Sequence, residues 1–215
     1  MKIDKMNDGE MYQLFLEKIK NDECFSYSRF GDGEWNAIFN KIGQNCDGHQ
    51  YFADMGERLR QVLSSKPKYF LGLQGLAVRQ RGDEIFNNYP NDWCSHNVFH
   101  RASINKKLNL FFEMLSEKNV VIVGPKYLKE IKKHFSYSDY IIVPDKNCWM
   151  SHDKILIKCK ELIKEGDIVL FAASMMTNVL IDELHNNKTT LIDIGSVLDP
   201  YVGKSTRSYH KKLNL

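Results

Sequence analysis

Four short aliphatic runs, at residues 120–123, 140–143, 168–172 and 190–194, divide the second half of the chain, and helical periodicity lies between most of them. An unbroken aliphatic strand is one covered on both faces, and strands alternating with helices build a parallel sheet. Each run stops at a loop: Gly124-Pro125, then 144–149, 173–178 and 195–199. Pro125 suits the first position of a helix over 126–135, where a missing N–H costs nothing. Ser151 is placed to cap a helix reaching about Lys164, Gly166 ends it, and 177–185 reads as a further helix.

The first half is less regular. Met11, Leu14, Phe15 and Ile19 recur at helical spacing behind Asn7 or Asp8 as a cap. Residues 24–29 read as a short aromatic strand, 35–42 as a helix, 43–48 as a polar loop, 52–63 as a helix and 69–73 as a strand. Residues 74–101 follow no period, and an irregular stretch that long inside a compact domain is usually functional. Ser103 is placed to cap a helix running to about Leu115. The pattern predicts a Rossmann-like α/β fold: a mainly parallel sheet of about six strands, with helices on both faces. One domain over 1–215 accounts for the chain, with an N-terminal helix in 1–22, a core over 24–201 and a basic tail at 202–215. In such sheets, ligands bind beyond the carboxyl ends of the strands.

Charge and cysteine usage narrow the function. A formal net charge of +3 is too small an imbalance for a dedicated nucleic-acid binder. The excess gathers in the tail, where Lys204 and Arg207 suit phosphate, an acceptor or the anionic inner face of a membrane, with a plainly solvated tail as the alternative. Five cysteines without a C-x-x-C pair argue against a zinc site or a disulfide framework and for the reducing cytoplasm. No apolar run approaches the roughly 18 residues of a membrane span, and residues 1–10 lack the apolar stretch of a signal peptide.

The sharpest motif is Arg29-Phe30-Gly31-Asp32-Gly33-Glu34. Asp32 and Glu34 stand two apart in a strand-to-helix turn, and two carboxylates make a hard oxygen site for Mn²⁺ or Mg²⁺. Gly31 and Gly33 leave room for a ligand, and Arg29 adds a bidentate donor for phosphate. A purely structural account competes: Asp32 caps the helix, Glu34 favours its dipole and Arg29 pairs with either. The common nucleotide fingerprints and the G-x-S-x-G elbow are absent. His96 and His100, four apart, would hold a metal only on a helix; hydrogen-bonded histidines are the alternative. A Mg²⁺-dependent phosphatase or phosphotransferase with Asp32 as nucleophile is a further reading.

The segment Ser28-Arg29-Phe30-Gly31-Asp32-Gly33-Glu34 resembles the R-F-G-D-G-E signature of the GT-D glycosyltransferases. The resemblance continues through Asn147 and Asp153-Lys154-Ile155-Leu156, through Phe171 to Leu184, and through Leu191-Ile192-Asp193-Ile194-Gly195 followed by Asp199-Pro200-Tyr201. It implies a GT-D-type fold and an enzyme of hexosyltransferase type. The donor would be a nucleotide-sugar, UDP-linked, and the acceptor a glycan, lipid-linked or glycoprotein substrate in bacterial surface-glycan or adhesin glycosylation. Asp32 and Glu34 would hold the metal at the diphosphate with Arg29 beside them. Phe30, Gly31, Gly33, Gly124, Asn147, Ser174, Asp193 and Gly195 would form the nucleotide pocket, and Arg101 would serve phosphate or acceptor. The chain departs from the family at Ala173-Ser174-Met175-Met176, where a Gly-Pro pair is frequent, and at Ser196, where His is frequent. Those departures leave a non-catalytic nucleotide-binding module as the alternative. Asp54, Asp83, Glu84, His96 and His152 are candidate bases toward an acceptor hydroxyl. Trp93, Phe99, Tyr137, Tyr140 and Trp149 are candidate stacking surfaces, ordinary packing being the alternative.

Overall fold

The computed structural model describes residues 6–81 and 93–213. Seven strands form one sheet in the order β3-β2-β1-β7-β6-β4-β5, and every pairing is parallel. The strands are β1 (Ser26–Phe30), β2 (Phe70–Leu73), β3 (Trp93–Ser95), β4 (Val120–Pro125), β5 (Asp139–Val143), β6 (Ile168–Phe171) and β7 (Thr190–Asp193). The last strand in sequence is therefore central in space, wedged between β1 and β6.

Helices cover both faces, as an all-parallel sheet requires. One face packs under α2 (Asp32–Ile38), α3 (Ala53–Ser64), α7 (His152–Leu162) and α8 (Met176–Leu184), burying Trp35, Met55, Leu59, Ile155 and Leu180. The other packs under α1 (Asp8–Lys20), α5 (Val98–Ile104) and α6 (Leu108–Ser116), burying Phe15, Phe99, Phe111 and Phe112. Alternation within β4 divides the strand between them: Val121 and Val123 enter the first core, Val120 and Ile122 the second. On the second face Phe15 stacks on Phe25 with centroids 4.9 Å apart and on Phe99 at 5.9 Å, which ties α1 and α5 to the sheet. α2 and α3 touch backbone to backbone at Gly56, where a Cβ would lie 2.2 Å from the Ala37 carbonyl oxygen.

Several sequence expectations are corrected. The sheet has seven strands, not six, because the irregular stretch 74–101 contributes β3 and also α4 (Gly75–Arg81). The single helix expected from Ser103 to Leu115 is two, α5 and α6, separated at Lys106 with φ +56°. Pro125 ends β4 in extended geometry (φ −66°, ψ 154°), and a 3₁₀ helix, Lys126–Lys133, follows it. α2 begins at Asp32 rather than at residue 35, and Ser151 precedes α7 without a side-chain capping bond. The tail is not merely solvated, because Ser208–Lys212 forms a 3₁₀ turn with His210 buried. No helix among the described residues is long and apolar enough to cross a membrane.

Candidate functional site

The carboxyl ends of the strands open into one cleft of about 490 Å³. Its floor is the junction of β1 and β7. The Arg29 backbone N–H donates to Asp193 Oδ2 at 3.2 Å, and the guanidinium Nε lies 3.4 Å from Asp193 Oδ1. Arg29 Nη1 stands 3.3 Å from His100 Nδ1, which therefore accepts and leaves the proton on Nε2. Asn178, fully buried on α8, donates Nδ2 to the Arg29 carbonyl at 2.6 Å. Gly195 completes the socket: it sits at φ +54°, and a Cβ there would fall 2.3 Å from Arg29 Nη2. The aspartate and glycine that end β7 thus hold one arginine, the first by charge and the second by having no side chain. Burial works against the Arg29 charge, but Asp193, Tyr27, Glu34 and Tyr209 together outweigh it and the guanidinium pKa rises. Burial raises Asp193 above the usual carboxylate range, with Arg29 opposing.

Beside this floor, Asp32 projects an exposed carboxylate into the cleft from the first residue of α2. Glu34 Oε2 accepts the Gly31 N–H at 2.8 Å, closing the first turn of that helix. Burial pushes the Glu34 carboxyl up to about 7, against the pull of Arg29. The capping role expected as an alternative is thus realised by Glu34, while Arg29 makes its ion pair with Asp193 rather than with either acid of the motif. His96 also lines the cleft. Burial, then Arg29, lowers its pKa to about 4, and burial takes His100 well below the usual value. Among the described residues no group of three or more His, Cys, Asp or Glu is arranged to hold a metal ion unaided.

The rim is built from two distant segments. Asn45 Oδ1 accepts the backbone N–H of Asp47 and of His49, each at 3.0 Å, and Asn45 Nδ2 reaches Ser174 Oγ at 3.1 Å. Arg207 meets both carboxylate oxygens of Asp47 in a two-pronged pair. Behind Arg207, His210 Nδ1 accepts the N–H of Thr206 at 3.1 Å and of Arg207 at 3.2 Å. Thr206 Oγ1 donates to Asp199 Oδ2 at 2.5 Å, and Tyr127 donates to Asp199 Oδ1 at 3.1 Å.

The cleft gathers Arg29, Gly31, Asp32, Gly33, Glu34, Ser174, Asp193, Gly195 and Arg207 of the expected site. Other candidates lie apart. Phe30 is wholly buried in the core, and Gly124 is packed against Leu128, Tyr140 and Ala172. Asn147, at φ +51°, accepts the Gln50 N–H at 2.9 Å and so anchors the rim loop from behind. Arg101 is exposed on α5, 3.7 Å from Asp8, and Lys204 lies over the Tyr127 ring at 5.5 Å. Asp54 accepts from Trp149 Nε1 at 2.9 Å, His152 lies between Asp153 and Glu183, and neither lines the cleft. Asp83 and Glu84 fall outside the described residues. Phe99 is buried, Trp93 is half-buried on β3, and Tyr140 donates to the Pro125 carbonyl at 2.6 Å beside Tyr137. Sequence reasoning missed Asn45, Asp47, His49, Tyr127 and Asp145 as cleft residues, and Asn178 as a support. The two glycines of 43–48 were the only signal for that loop.

Fold and cleft together define a class: an α/β domain with one parallel seven-stranded sheet and a cleft at the carboxyl ends of its strands. Within it the chain shares the fold of the domain of unknown function 1792 (DUF1792). A selenomethionine-substituted structure of that domain is 18% identical, with a TM-score of 0.70 over 88% of this chain and 78% of the other. A second, described as a highly conserved DUF1792 domain with a distinct glycosyltransferase fold, is 19% identical, with a TM-score of 0.68 over the same shares. A third, described as a new glycosyltransferase (DUF1792) from Streptococcus sanguinis, is 16% identical, with a TM-score of 0.69 over 88% of this chain and 81% of that one. No family profile and no curated protein matches the chain by sequence.

Proposed function

We propose that this chain is a metal-dependent glycosyltransferase, moving a sugar from a UDP-linked nucleotide-sugar to a glycan, lipid-linked or glycoprotein acceptor of surface-glycan or adhesin glycosylation. The observation that carries the reading is the charge of the cleft. Its lining holds six carboxylates (Asp32, Glu34, Asp47, Asp145, Asp193, Asp199) against two guanidiniums, Arg29 and Arg207, both already paired with aspartate. A diphosphate entering that field meets repulsion unless a cation accompanies it.

The residues suit such a cation. Asp32 and Glu34 offer hard oxygen donors, and Mn²⁺ or Mg²⁺ at a nucleotide uses one or two carboxylates, completing its shell with phosphate oxygens and water. When bound, the ion neutralises charge gathering on the leaving diphosphate. The protein's own groups do the rest. Glu34, its carboxyl pushed up to about 7 by burial, would be drawn to its charged form by such a cation. Arg29 keeps a fixed positive charge at the floor, locked between Asp193 and Gly195. His96 lines the cleft with its pKa lowered to about 4 by burial, so its neutral ring would serve as base toward an acceptor hydroxyl.

The test is thermal stabilisation by nucleotides with and without Mn²⁺, in the native protein and in Asp32→Ala. A UDP shift that needs the metal and disappears in the variant supports the reading. No response of folded protein to any nucleoside diphosphate removes it.

A further inference from the structure

Arg207 and Asp47 stand 160 residues apart in sequence, and both line the cleft. Their side chains are 26% and 28% exposed, so the pair lies at the water-facing rim. A carboxylate held by both arms of a guanidinium occupies the geometry in which arginine also takes phosphate. Building on the donor reading above, we propose that Asp47 is an internal stand-in for the donor's phosphate. It caps Arg207 while the cleft is empty and yields the guanidinium to a diphosphate when the donor enters.

Three features favour exchange over a fixed clasp. The Arg207 backbone is held independently of Asp47, through His210 Nδ1 and through Thr206 to Asp199. The Asp47 backbone is held independently of Arg207, by Asn45, which is itself tied to Ser174. Exchange therefore asks only for side-chain rotation, with both loops staying in place. The other guanidinium in the cleft is not available in this way. Arg29 lies in a closed socket with Gly195 against its Nη2 and Asp193 against its Nε. Of the two arginines that line the cleft, Arg207 is the one able to turn toward a ligand.

The exchange has a signature that neither a clasp nor a metal ligand shares, because the two partners must act in opposite directions. Calorimetric titration of UDP and, separately, of inorganic pyrophosphate, each with Mn²⁺, reads it in the native protein, Asp47→Asn, Arg207→Gln and the double variant. Asp47→Asn removes the competing charge and is expected to tighten both probes about threefold to tenfold. Arg207→Gln is expected to weaken both by tenfold or more, and the double variant to match Arg207→Gln. Arg207→Lys, which keeps the charge and loses the fork, is expected to fall between; circular dichroism checks that each variant is folded. Weaker binding in Asp47→Asn overturns the proposal, making the pair a clasp or Asp47 a metal ligand. Unchanged UDP affinity in Asp47→Asn overturns it while leaving the donor reading intact. Pyrophosphate tightened by Asp47→Asn with no UDP binding keeps the exchange and removes the nucleotide. Binding of neither probe by any folded variant overturns both.

Discussion

Arg29 and Arg207 line the same cleft, and each is paired with an aspartate, yet their surroundings differ. Arg29 is enclosed by β7, α5 and α8, and its carboxylate partner is 3% exposed. Arg207 meets its aspartate at the rim, where both side chains are only partly buried. A buried pair is costly to break, because the surviving charge has nowhere to be solvated. A pair that water can reach costs less to break, because the surviving charge can be solvated. The same chemical pair thus serves as architecture in one place and as an exchangeable contact in the other.

The contrast can be broken by experiment, beginning where the effect is largest. Arg29→Met strands Asp193 in the floor and is expected to cost about 3–5 kcal/mol in urea denaturation. A loss near that of a surface substitution would end the distinction. Glu34 comes next, because it shares the buried floor. Its folded pKa, about 7, lies above the ordinary 4.5, so the protonated form favours the folded state. The stability this contributes is complete below the unfolded pKa and is lost as pH rises through about 7, a change on the order of 3 kcal/mol at most. Denaturation midpoints followed across that window with chelator present should show the slope, and Glu34→Gln should flatten it. The smallest effect belongs to the rim: Arg207→Gln, which breaks a partly water-facing pair, is expected to change stability by about 1–2 kcal/mol. A larger loss there would make the rim pair structural.

The same contrast separates what the sequence shows from what it hides. The aliphatic runs ending at Gly124, Val143, Ala172 and Ile194 mark strands because a doubly covered strand can use almost nothing else. β3 escaped because three residues, Trp93–Ser95, are too few to show a period. At the site, Asp32, Glu34, Asp193 and Gly195 stand out because they sit at the breaks between strand and loop, where chemistry-bearing residues interrupt an apolar pattern. Asn45 and Asp47 look like any polar loop. Their significance comes from Ser174 and Arg207, 129 and 160 residues away, and no local pattern encodes a contact at that range. Phe30 sits within the motif and yet serves the core, because alternate residues of a strand face opposite ways.

The position of β7 has a consequence in time as well as in space. Ser26 pairs with Leu191, so the middle of the sheet joins the two ends of the chain. Closing so long a loop is entropically slow, and contacts of high sequence separation form late. As the polypeptide leaves the ribosome, β1 emerges with Arg29 long before Asp193 exists to receive it. Until then the two flanks of the sheet lack the strand that joins them, and the edges of β1 and β6 remain open to other chains. The segment that finishes the binding floor also ends that exposure, so acquiring a site and escaping aggregation are one event in the life of this protein.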